Sequence, residues 1–145
     1  MEKIQFDSGI KEFKLNGMGV LRFNPADPNL YARFLEAGEK IRQLEQTLSQ
    51  QASAIEPQQG EKMVILMQEA DRQMKEVLGW VFGPGNDFDK LLGGISLLAA
   101  AENGERVVTN LFAALQPVLT RGAQLCAQHR KEQAVSKAKA RRASQ

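Results

Sequence analysis

The spacing of apolar residues changes once, near residue 27, and that change divides the chain into two kinds of structure. Before it, Ile4 and Phe6 alternate with polar residues, and so do Phe13 and Leu15. Alternation is the period of half-buried strands. Asn16-Gly17 follows, a dipeptide that tolerates positive φ at both central positions of a tight turn, and then Val20-Leu21-Arg22-Phe23. The pattern predicts a β-hairpin over residues 11–23, inside a β part spanning residues 1–24. A two-residue turn would set Phe13 opposite Val20 and send Leu21 and Phe23 to the other face. A bulge near Gly19 would bring them back.

From residue 27 the period is helical. Asp27 stands as an N-cap, with Pro28 at the first helical position, where a missing N–H costs nothing. Leu30, Phe34, Ala37, Ile41, Leu44 and Leu48 then recur at spacings of 4, 3, 4, 3 and 4, one stripe along one helix face. Arg33, Glu36, Glu39, Lys40, Arg42 and Glu45 occupy the solvated side. The helix ends past Gln50, before the loop around Pro57 and Gly60. A second helix repeats the rhythm in Met63, Met67, Ala70, Met74, Val77 and Val81, widened by Val64, Leu66, Leu78 and Trp80. Two such helices joined by a short polar loop fold back on each other, stripe against stripe.

The stretch GWVFGPGNDFDKLLGG, residues 79–94, interrupts the periodicity and carries five of the twelve glycines and the single tryptophan. Gly83-Pro84-Gly85 stops the second helix. Asp87 or Asn86 caps a short helix through Leu92, closed by Gly93-Gly94, and Ser96 can cap a further turn or two through Glu102 before Asn103-Gly104. The last long helix starts near Glu105 and runs to Gln128 or beyond, with Val108, Leu111, Leu115, Val118, Gly122 and Leu125 as its stripe and a kink expected at Pro117. The predicted fold class is therefore mainly α with a small N-terminal β-hairpin: a helical bundle of three long helices plus short connecting helices. Residues 1–129 form one globular domain, with residues 27–129 as its helical part.

Charge alters the reading of the C-terminus. Arg130, Lys131, Lys137, Lys139, Arg141 and Arg142 face a single acid, Glu132, over residues 130–145, a net +5. The whole chain carries +2, so residues 1–129 carry −3. The basic segment has no apolar stripe and reads as frayed helix or disorder. Clustered cations can release counterions from phosphate, but no aromatic is interleaved for base stacking. A solubilising or partner-docking tail is the first reading, nucleic acid is not an expected partner, and a small helical adaptor that binds nucleic acid or another anionic partner through this tail is the alternative.

Composition excludes several chemistries. The chain of 145 residues, 43% hydrophobic, has material for one core. It holds no apolar run of the roughly 18 residues a membrane span requires, no secretory leader and no lipidation box. With its single cysteine, Cys126, this points to the cytoplasm. One cysteine and one histidine do not make a structural zinc site. Cys126 and His129 lack the orienting acid and oxyanion donors of a nucleophilic pair, and Cys126 reads as a small apolar residue. Glu69, Asp71, Glu76, Asp87 and Asp89 read as solvated faces and caps. The glycine-rich stretch lacks the GxxxxGKS or GxxxxGKT order of a phosphate loop and follows a helix where that loop needs a strand. No enzyme activity and no cofactor are expected. Trp80, Phe82 and Phe88 serve either as core or as contact surface.

The residues that carry a family likeness are the NG hairpin, RFNPADPNLYARFLEAGEKI, the helix ending GWVFGPGNDFDKLLGG, and VVTNLFAALQPVLTRG. Together, over residues 10–128, they resemble the tail assembly chaperones of long-tailed bacteriophages, in the version common among phages of Gram-positive hosts. Phe82-Gly83-Pro84-Gly85 matches that family's FGxG-like element, and Leu92-Gly93-Gly94 stands where Phe-Gly-Gly is usual; Leu92 and the Ala/Lys/Arg tail are departures. The resemblance implies a non-enzymatic protein of the infected host's cytoplasm. Such a protein binds the tape-measure protein in many copies and keeps it soluble. It helps recruit tail-tube subunits through a frameshifted extension, and it is absent from the mature virion. On this reading Trp80, Phe82, Phe88, Leu91 and Leu92 are the expected partner-binding residues, exposed on the hinge.

Overall fold

In a computed structural model, which describes residues 1–143, helix α1 (Pro28–Ser53) is the axis on which the other elements are laid. The Asp27 carboxylate accepts the Asn29 N–H at 2.9 Å, and Pro28 opens the first turn, as the sequence predicts. Leu30, Phe34, Ala37, Ile41 and Leu48 are buried and Leu44 half-buried. Arg33, expected on the solvated side, instead donates from Nε to the Val81 carbonyl at 3.0 Å. That bond satisfies one of the carbonyls left open at the end of the next helix.

Helix α2 (Gly60–Phe82) packs back along α1. Its buried residues are Ala70, Met74, Leu78, Val81 and Phe82 with Lys75, all from the middle of the helix onward. The first half of the predicted stripe is only partly covered: Met63 is half-buried, and Val64 and Met67 are exposed. Helix α4 (Val107–Ala143) lies along another side of α1. Arg106 lies 3.9 Å from Glu45 at one end, and the Phe34 and Phe112 rings stack at 5.1 Å. At the other end Gly122 meets Pro25 so closely that a Cβ there would stand 1.7 Å from the Pro25 carbonyl oxygen. These pairings make α4 antiparallel to α1. They also explain why Leu125, the last member of the predicted stripe, is exposed: α1 has already ended opposite Gly122.

Strands β1 (Lys11–Leu15) and β2 (Gly19–Phe23) pair antiparallel with Phe13 opposite Leu21 and Leu15 opposite Gly19. The turn is three residues, Asn16 to Met18, closed by the Met18 N–H on the Leu15 carbonyl at 2.9 Å, with Asn16 and Gly17 both at positive φ. Taking Met18 into the loop shifts the register by one from a two-residue turn. Phe13, Leu21 and Phe23 then share the core face without a bulge. The alternation at Ile4 and Phe6 does not produce a strand; both side chains are exposed and residues 1–10 have no regular structure.

Two further expectations are corrected. Residues 96–102 form turns instead of a capped helix, closed by a bridge between Ala100 and Arg106. The backbone groups that a helix would use are taken elsewhere. The Leu97 N–H donates to Asp71 Oδ1 at 2.7 Å, and the Leu97 and Ala99 carbonyls accept from Val108 and Val107. Residues 130–143, read as frayed helix or disorder, are not disordered but continue α4 as helix with every side chain exposed. The molecule is mainly helical with one small hairpin. Among the described residues no helix is long and apolar enough to cross a membrane.

Candidate helix-binding groove and the hinge

Residues 79–94 form the joint that the glycine pattern predicts. Gly83 ends α2 at φ 105, a conformation open to glycine, and its N–H caps the Gly79 carbonyl at 2.8 Å. The Asp87 carboxylate accepts the Asp89 N–H at 3.0 Å and starts α3 (Phe88–Leu91). Gly93 and Gly94 close it at φ 65 and 79.

The aromatic residues of this joint do not face solvent. Phe82 is 6% exposed, Phe88 2%, Leu91 8% and Leu92 8%. A chain of ring contacts runs through them, Phe13 on Phe23 at 4.7 Å, Phe23 on Phe82 at 4.9 Å and Phe82 on Phe88 at 5.5 Å. Hairpin, α2 and α3 are thereby locked into one core. Of the five expected partner-binding residues, four are structural. Burial of an aromatic ring removes enough apolar surface from water to outweigh its use as a contact. Trp80 alone stays partly exposed, at 42%, with the Lys40 ammonium 3.8 Å from its ring centroid. The other predicted group, Arg130, Lys131, Lys137, Lys139, Arg141 and Arg142, lies together on the exposed last turns of α4.

Two polar features of the joint are invisible in residue spacing. Asn86, considered from sequence only as a cap, is 7% exposed. Its Oδ1 accepts the Arg22 N–H at 2.9 Å, and its Nδ2 donates to the Arg22 and Phe82 carbonyls at 2.9 and 3.0 Å. Lys75, on the buried side of α2, reaches Asp89 at 2.6 Å and Asp71 at 2.9 Å. Asp71, expected as a solvated acid, is mostly covered and ties α2 to the loop before α4, whereas Asp89 stays solvated as expected while its carboxylate links α3 to Lys75. Burial draws the Lys75 ammonium down, but the hydrogen bonds to Asp89 and Asp71 outweigh it and hold the group above its ordinary value. His129 is exposed and shares a hydrogen bond with Gln133 at 3.2 Å.

The opening that could hold another chain lies between α1 and α4. It is a groove of about 390 Å³ with Phe34, Ile41, Val108 and Phe112 along its apolar floor. Arg42 and Glu45 stand at its edge. The Arg42 hydrogen bond holds the Glu39 carboxyl below its ordinary value, and Arg106 faces Glu45. Gly38 lines the groove in the middle of α1 and is exposed, with nothing within 4 Å of where its Cβ would be. A glycine inside a helix costs about 0.5–1 kcal/mol relative to alanine, and no neighbour within this chain requires it. A missing side chain in the wall of an apolar groove lets a second helix approach α1 closely. Sequence spacing places Gly38 on neither the stripe nor the charged face; only the position of α4 turns it into part of a groove.

The chain matches no family model, no curated protein and no solved structure, so a functional reading rests on the groove, the joint and the sequence motifs they contain.

Proposed function

We propose that this protein is a non-enzymatic chaperone for a long amphipathic helical protein, the tape measure of a long-tailed phage, and that it works in the cytoplasm of the infected bacterium. The observation that carries the reading is the open apolar groove between α1 and α4 with Gly38 in its wall. Helix-in-groove recognition needs an apolar trough that accepts residues spaced at i, i+3, i+4 and i+7. The motifs of residues 82–85 and 92–94 support the choice of partner. Their aromatic and leucine members keep the bundle in register instead of touching the client. Bound copies shield the apolar stripes of the tape measure until tail-tube subunits replace them.

The test is a substitution that fills the groove without loosening the fold. Gly38→Leu places an aliphatic side chain where the client helix would lie and improves the helix propensity of α1 by about 0.8 kcal/mol. Co-expression with a long-tailed-phage tape-measure protein should yield soluble complex for the parent and at least tenfold less for Gly38→Leu. The variant's urea midpoint should be equal or higher. A tape measure that stays insoluble with the parent protein rejects the chaperone reading. Undiminished solubilisation by Gly38→Leu places the client elsewhere, with the crease around Trp80 as the next surface to substitute.

A further inference from the structure

The last turns of α4 carry a second surface that the groove does not use. Residues 130–143 hold six cations and one acid in continuous helix, exposed throughout. At about 100° per residue, Arg130, Lys137 and Arg141 fall in one row, with Lys131 and Arg142 in a second row beside it. Lys139 borders the second row, so all six cations occupy about 200° of the circumference. The remaining arc holds Glu132, Gln133, Ser136, Ala140 and Ala143. Glu132, the one acid, accepts from Gln128 Nε2 at 3.2 Å and shares a crease with Lys131 and Lys139, so the row of Arg130, Lys137 and Arg141 holds no acid.

The cations span 12 residue steps from Arg130 to Arg142, about 18 Å of helix axis. Duplex nucleic acid presents about one phosphate charge per 1.7 Å of its own axis, and so can meet such a density along the whole length. An extended acidic peptide, at about 3.3 Å per residue, would have to be almost wholly acidic to do the same. The helix has no bulky apolar face for a bilayer, since Val135 stands among the cations and the opposite arc is small or polar. Alanines at 134, 138, 140 and 143 keep it slender, within the roughly 12 Å width of a major groove. The body it leaves carries −3 and would repel a polyanion, so contact is confined to the projecting turns. No aromatic and few amides are present to read bases, and phosphate contacts position without specifying.

We propose that residues 130–143 of α4 form a sequence-independent binding site for double-stranded nucleic acid. This does not rest on the chaperone reading, because the groove and the basic rows share no residue. What separates it from the solubilising tail expected from sequence is that the charges are ordered in rows along a helix, where several can engage phosphates at once.

The experiment is fluorescence anisotropy of the full-length protein with a mixed-sequence 24-base-pair DNA duplex at increasing potassium chloride. Four to six phosphate contacts give a slope of log K against log salt of about −4 to −5. Replacing Arg130, Lys137 and Arg141 together by glutamine, a residue of similar helix propensity, should make that slope shallower by about 3. A control with Lys3, Lys62 and Lys90 changed to glutamine alters net charge equally and should leave the slope unchanged. A parent slope shallower than −1, or equal slopes in the two triple variants, would overturn the proposal. So would polyglutamate displacing the duplex as well, charge for charge, as unlabelled duplex does, which would assign the helix to an acidic protein.

Discussion

Asn86 shows how much one side chain can hold in this protein. It gives and takes three hydrogen bonds that join β2 to the end of α2, in a buried position where no water replaces them. Asn86→Ala leaves the Arg22 amide and carbonyl without their partner and should cost about 1–3 kcal/mol in urea unfolding, with the helical circular dichroism of the folded state retained. Lys75 acts on pH. Its ammonium is held above its ordinary value of 10.5 by Asp89 and Asp71 against the effect of burial. A folded pKa raised above the unfolded one contributes stability that is fully present below the unfolded pKa and is lost as pH rises through the folded pKa. The stability difference between the parent and Lys75→Met should therefore be flat at neutral pH and shrink above about pH 10.5. A difference that is unchanged up to pH 12 would show that the lysine acts through packing alone. Neither residue was legible as a tie in sequence, since an asparagine in a turn and a lysine among helix charges are ordinarily solvated. Both acquire their roles from partners 64 and 14 positions away.

The elements were legible where a local rule and a long period agreed. Helix α1 follows its cap and its stripe from Asp27 to Leu48, and the joint follows its glycines and the Asp87 cap. They were misread where tertiary partners competed with local preference. The turns at residues 96–102 lose their helix to Asp71 and to the start of α4. The hairpin chose a three-residue loop because burial of Phe13, Leu21 and Phe23 on one face outweighs the tighter Asn-Gly turn. The short helix α3 illustrates the cost of reading function from composition. Phe88 and Leu91 looked like a contact patch, yet they are 2% and 8% exposed. Phe88→Asp with Leu91→Asp buries two charges without partners and should abolish the cooperative unfolding transition and much of the helical signal. Preserved circular dichroism and cooperativity would return these residues to the surface.

Across the whole molecule, stability and binding are carried by different ends. The core gathers hairpin, α3 and the facing parts of α1, α2 and α4, whereas the last turns of α4 stand clear of it. Removal of residues 130–145 should accordingly leave the unfolding free energy of residues 1–129, measured in urea, within about 0.5 kcal/mol of the parent, the range of surface changes that touch no core. The order of hairpin, long helices and joint, the apolar face of α1 and the segregation of positive charge all follow from residue order alone. Period, caps and charge are local quantities that survive without knowledge of neighbours. The face on which Gly38 opens, the burial of the joint's aromatics, the tie through Asn86 and the place where α4 outruns α1 were decided only in three dimensions. Each depends on which distant surface arrives opposite a residue, and helical periodicity states that a face is apolar without stating what covers it.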